Sequence, residues 1–177
     1  MAVRDPNNIL IGGGRCYVDD KELGWLSGEV KLEEQASSQS IKESEGGTVL
    51  VIATDKEVHF TFNLLEADLD TLKTLNPSAS ARDGGGFAVG TFQSDNTFEF
   101  LFKHQKRDGS FRCLKIFKGK ISGSFTALLL NQDNASPIPF DVIAIPDDSR
   151  NSNNNLYEVY EEDEQAEHND DTVNGGA

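Results

Sequence analysis

The side chains able to do catalysis or hold a metal are few in this chain, and their spacing serves neither purpose. Its three histidines are His59, His104 and His168. They fall on the polar face of a strand pattern, beside a basic hairpin and in an acidic terminus, and no pair has zinc-ligand spacing. Cys16 and Cys113 lie far apart without a C-x-x-C motif, and read as small buried residues in a reducing compartment. The acids of "EADLD" crowd the start of a helical pattern, where capping explains them better than general acid–base work. "SDNT" and "DGGG" are turn chemistry rather than a calcium loop. Gly12–Gly14 has neither GxGxxG nor GxxxxGK spacing, and no helix pattern follows it. Asn134-Ala135-Ser136 matches a glycosylation sequon, but "MAVRDPNN" lacks an apolar leader, so the chain is expected to begin in the cytoplasm. The expectation is a protein that is not an enzyme and uses no cofactor or metal.

Charge is the more informative feature. The net charge is −14 over 177 residues, but residues 151–177 hold eight acids and no Lys or Arg, leaving 22 acids against 16 bases before them. This balance disfavours a general grip on a nucleic-acid backbone, and no run approaches the ~20 apolar residues of a membrane span. Two local runs oppose one another. Between Lys103 and Lys120 stand seven bases, Lys103, Lys106, Arg107, Arg112, Lys115, Lys118 and Lys120, with Asp108 the single acid. Between Glu29 and Glu45 stand five acids and two lysines. Both are either solvated strand faces or the halves of a head-to-tail contact between copies.

The elements that would position these charges are almost all strands. "RCYVDD" reads as a short strand turned by "DDKELG". In "GWLSGEVKLEEQASSQSIKESEGG", Val30 and Leu32 alternate with charged residues, and then apolar residues nearly vanish. Trp25, Val30 and Leu32 are expected to anchor this stretch to the body. Glu33 through Ser44 is the reaching part, with Glu33, Glu34, Gln35, Ser40, Lys42, Glu43 and Glu45 as its contact residues. "TVLVIAT" and "EVHFTFNLL" read as a hairpin turning at Asp55-Lys56, the second placing Val58, Phe60, Phe62 and Leu64 on one face. "LLEADLDTLKTLNP" predicts a helix over about 65–75 with Leu65, Leu69 and Leu72 on one side, stopped by Asn76-Pro77. "NPSASARDGGG" reads as a loop. "GFAVGTF", "NTFEFLFKH", "SFRCLKIFKGKISGSFTALLL" and "FDVIAIP" follow as strands, with a hairpin turn at Asp108-Gly109 and a bend at Gly119 or Gly123. Tyr157, Val159 and Tyr160 offer a short terminal strand. The expected fold is mainly β, an antiparallel sandwich or barrel with one flanking helix. Residues 1–14 form an arm, 15–147 the body with a projecting hairpin loop at 33–47, and 148–177 an acidic, Asn-rich tail.

This order of features resembles the tail tube (major tail) proteins of long-tailed bacteriophages. The residues that carry the likeness are "RCYVDDKELGWLSGEVKLE", the polar excursion "EQASSQSIKESEGG", and "EVHFTFNLLEADLDTLKTLNP", followed by an all-β remainder. It covers most of residues 10–145 and is one of pattern and order. The resemblance implies hexameric rings stacked into a tube whose lumen guides tape-measure protein and later passes DNA, with terminator, baseplate and in some cases sheath proteins as partners. It also implies a location in the virion tail after assembly in the host cytoplasm. On this reading the acidic loop meets the basic hairpin residues Lys103, Lys106, Arg107, Arg112 and Lys115 of another copy. A rival is an OB-type single-stranded-DNA-binding protein that stacks bases on Phe98, Phe100, Phe102, Phe111 and Phe117 and recruits partners with its tail.

Overall fold

The structure is a computed structural model that describes residues 13–42, 48–65, 68–76, 78–91, 95–122, 125–126 and 136–162. Period-2 alternation of large apolar and polar residues governs it, and ten strands and one helix result among the described residues. The strands are β1 (Arg15–Val18), β2 (Lys21–Glu22), β3 (Lys31–Lys42), β4 (Thr48–Leu64), β5 (Ala79–Ala81), β6 (Phe87–Val89), β7 (Phe98–Gln105), β8 (Phe111–Ile121), β9 (Ile138–Ala144) and β10 (Tyr157–Glu162). Eight of them form one antiparallel sheet in the order β2-β1-β7-β8-β9-β4-β3, with β10 also on β8. β5 and β6 pair separately. The sheet does not close into a barrel, since β2 and β3 remain its two ends.

The sheet branches at β8. Residues Gly119–Ile121 pair with β9, whereas Phe111–Ile116 on the same edge pair with β10. Gly119 is needed here for close approach. A Cβ on it would stand 2.6 Å from Val142 Cγ1 and 2.7 Å from Phe100 Cδ2, nearer than real side chains come. The core lies on one face of the bent sheet. Val58, Phe60, Phe62 and Leu64 of β4 are buried together with Cys16, Val18, Phe100, Ile116, Phe140 and Val142. Phe62 stacks on Phe140 with ring centroids 5.4 Å apart and meets Phe100 at 6.5 Å, the offset and tilted arrangements aromatic rings prefer.

Three sequence expectations change. Asp55-Lys56 is no turn: β4 runs unbroken through it, opposite Ser37 and Ala36. The helix α1 is shorter than expected, Leu69–Leu75, because Asp68 caps it by accepting from Thr71 N. Its buried residues are Thr71, Leu72 and Leu75, leaving Leu65 and Leu69 exposed. "NPSASARDGGG" is not all loop, as Ala79–Ala81 is β5. The Asp19-Asp20 turn joins β1 to β2 with both residues at positive φ, a conformation Asp tolerates better than most side chains.

Candidate functional site

The two opposed charge runs occupy two hairpins. In the first, the start of β3 and the end of β4 belong to the eight-stranded sheet, where Glu33, His59 and Ile143 form one row across β3, β4 and β9. Beyond that row the ladder partner of β4 is β3 alone among the described residues. The pairing continues from Gln35↔Glu57 to Lys42↔Thr48, with register shifts at Ser37/Ser38 and Ile41/Lys42. At ~3.3 Å per residue, the eight residues Gln35–Lys42 make a ribbon of roughly 25 Å. The polar stretch is thus a paired strand rather than a loop, and the body ends about two residues later than Leu32. Ser40 and Lys42 stand opposite Val51 and Thr48; Glu43 and Glu45 lie outside the described residues.

At the ribbon's base the carboxylates are already engaged. Glu33 binds Lys31 Nζ at 2.7 Å, and Glu34 binds Lys56 Nζ at 2.9 Å and accepts from the Tyr157 hydroxyl. That hydroxyl and Lys56 hold the Glu34 carboxyl below its ordinary range. Gln35 is exposed. Of the three expected anchors, Val30 and Leu32 are half-buried against the core. Trp25 is not an anchor: its side chain is 74% exposed. Its backbone carbonyl accepts from Leu65 N at 2.7 Å, and neighbouring Leu26 packs against the core instead.

His59 bridges the polar face above this base. Its Nδ1 lies 3.1 Å from Asp141 Oδ1 on β9, and its Nε2 lies 3.7 Å from Glu57. The Asp141 carboxylate is the main reason its pKa is raised. His104 is buried, with Nδ1 3.0 Å from the Gly13 carbonyl. His168 lies outside the described residues. Among the described residues, no group of His, Cys, Asp or Glu is arranged to hold a metal.

The second hairpin is β7–β8, turned at Asp108-Gly109 with Gly109 at positive φ. Its bases do not wait for another copy's acids, because the chain's own β10 supplies them. Lys103 Nζ binds Glu162 at 2.9 Å, Lys106 Nζ binds Glu161 at 3.1 Å, and Arg112 Nη2 binds Glu161 at 2.7 Å. Lys115 binds Glu99 at 2.8 Å on neighbouring β7, and Arg107 is exposed. These bases hold both β10 carboxyls low, Arg112 chiefly for Glu161 and Lys103 for Glu162. Cys113 is fully buried opposite Tyr160. Burial, then the nearby Glu162 carboxylate, push its thiol up to about 11 and the Tyr160 phenol up to about 12.

Four of the five rings of the alternative stacking platform are engaged within the chain, while Phe111 is half-buried. Phe100 is in the core, Phe98 and Phe102 pack against it, and Phe117 lies under the Arg150 guanidinium, 3.4 Å from its ring centroid. The acidic tail begins later than residue 148. Residues 148–156 form a built loop in which Asp147 N donates to the Asn155 carbonyl at 2.9 Å, and Lys118 binds Asp147 at 2.8 Å. The sequence signal for β10 was present in Tyr157 and Tyr160 beside Glu161 and Glu162; its assignment to β8 was not readable.

Neither protein-family models nor curated proteins match this chain. Among solved structures, it is similar to the sheath/tube terminator of an extracellular contractile injection system in its extended state. That likeness has a TM-score of 0.49 and 10% identity, and covers 91% of this chain and 99% of that one. At this level the likeness carries no argument about role.

Proposed function

We propose that the chain is a structural subunit of a phage-type tail tube, polymerising as stacked hexameric rings whose lumen conducts DNA at ejection. The observation that carries this reading is the β3–β4 ribbon. Long paired strands that extend past the body leave outer edges needing partners, and a second copy supplies them by strand addition. The excess of acids suits a conduit, because like charge keeps DNA from sticking to the wall. The activity is mechanical, with no bond made or broken, and tape-measure, terminator and baseplate proteins would be its partners through the resemblance given above.

The structure changes the contact that the sequence favoured. With Lys103, Lys106 and Arg112 engaged by β10, the ribbon's interface rests on its backbone edges and its distal residues rather than on the basic hairpin. The test joins Ser37 to Asp55 through Asn-Gly, which removes the ribbon and keeps the ladder below it. The expected outcome is a folded subunit that forms no rings or filaments by negative-stain microscopy under conditions where the parent does. Equal polymerisation would overturn the ribbon's role, and tight capture of a single-stranded oligonucleotide by a monomeric parent would overturn the tube.

A further inference from the structure

β10 is held to the body mainly by its ladder and by charge. Its six residues pair with Phe111–Ile116, yet Glu158, Val159 and Glu161 are exposed, and Tyr157 and Tyr160 are only half-buried. The apolar burial that secures β4 or β8 is largely missing. Its two ends differ. The root is fixed by the Lys118–Asp147 pair, by Arg150 over Phe117 and by Leu156 against the core. The far end is fixed by Glu161 and Glu162 on Lys106, Arg112 and Lys103. Under that end lie Cys113, with no exposed surface, and the Lys106 side chain, 7% exposed. A strand secured in this way opens from its charged end while the core stays intact.

We propose that β10 is an autoinhibitory strap. It closes the Phe111–Ile116 edge of β8 in the isolated subunit, and it peels from the Glu162 end to admit the Leu156–Glu162 strand of a second copy. A second copy is the occupant because the vacated edge, with Lys103, Lys106 and Arg112 beside it, matches an acidic strand of that sequence in register. Another subunit presents the same strand, and such exchange replaces every contact that is lost. An open β edge is a strong template, so keeping it covered until a partner arrives prevents unordered association. Only the choice of a second copy rests on the self-assembly reading.

The two cysteines report the opening. Cys16 lies in the core and Cys113 under the strap. Full-length protein and its Glu161→Gln/Glu162→Gln variant are alkylated with iodoacetamide at low salt and at about 0.5 M salt, where exposed charge is screened. Each cysteine is then read by peptide mass spectrometry. Cys113 is expected to label roughly tenfold faster in the variant once the rate is corrected for the thiolate fraction read from its pH dependence, because losing the Glu162 charge alone also lowers that thiol's pKa. Cys16 is expected to be unchanged, since sub-global opening exposes one site only. Unchanged Cys113, or Cys113 and Cys16 gaining label together, overturns the strap. In a second arm, a fluorescent peptide of residues 156–162 is added to both full-length proteins. Capture by the variant above the wild type, with no capture of a scrambled peptide, is expected. Failure of a variant with an opened Cys113 to capture the peptide overturns the second-copy occupant. Neither arm needs a tube, so a protein that passes both and never polymerises removes the tube reading and leaves the strap.

Discussion

The β7–β8 hairpin is roofed along part of its open edge by β10, whereas the β3–β4 hairpin beyond Gln35 has only its own two arms as ladder partners among the described residues. Both are charged β-hairpins, but their surroundings differ. The basic one lies within the sheet, and its cations reach carboxylates from residues far along the chain. The acidic one leaves the sheet at the row of Glu33, His59 and Ile143. A two-stranded ribbon is marginal alone, so its length is hard to explain by the subunit's own stability. The contrast teaches that one charge run completes the subunit and the other extends beyond it.

The largest expected effect separates body from ribbon. Phe62→Ala removes a ring that packs on Phe60, Phe100 and Phe140 and should cost about 3–5 kcal/mol in denaturant unfolding. Replacing residues 38–54 by Asn-Gly should cost under about 1 kcal/mol, because an isolated ribbon stabilises little. Comparable losses would make the ribbon part of the body and break the comparison.

An intermediate effect concerns acid. Glu161 and Glu162 have lowered folded pKa values, so their contribution is fully present above the ordinary carboxylate range. It is lost as pH falls through the lowered values. The gap in thermal midpoint between wild type and Glu161→Gln/Glu162→Gln should therefore be open at pH 7 and narrow as pH falls below the ordinary carboxylate range. A gap that persists in acid would mean that the carboxylates act through packing rather than charge.

The smallest effect lies at the ribbon's base. His59 has a raised folded pKa through Asp141, so its contribution is present below the ordinary histidine range and fades as pH rises through the raised value. Between about pH 6 and 8 the wild-type midpoint should fall slightly relative to that of His59→Gln. Parallel profiles would remove the His59–Asp141 link as a tie between β4 and β9.

Much of the fold was legible because strand alternation leaves a mark on every second residue. Val58, Phe60, Phe62 and Leu64 read as one face and are buried as one face. Asp108-Gly109 read as a hairpin turn and is one. The bend expected at Gly119 or Gly123 is not at Gly119, where β8 runs on to Ile121 and the glycine serves close approach; Gly123 lies outside the described residues. The errors came where local and long-range preferences disagreed. Asp55-Lys56 has turn composition, but pairing with Ser37 and Ala36 carries β4 straight through it. Trp25 has the bulk of an anchor, yet Leu26 occupies the inward position and leaves Trp25 outside. For the candidate site, the two charge runs were plain in the sequence, and the identity of their partners was not.

By itself the sequence determined the antiparallel β character, the apolar face of β4, the Asp108-Gly109 turn and the separation of acidic from basic segments. Each of these follows from interactions a few residues long. Only the tertiary structure decided that the sheet branches at β8 rather than closing, that β10 returns across about 50 residues to engage Lys103, Lys106 and Arg112, and that the acidic stretch is a paired strand. Those outcomes depend on which edges meet, a competition among ladders of similar local quality, and burial and charge settle it only once the whole chain is folded.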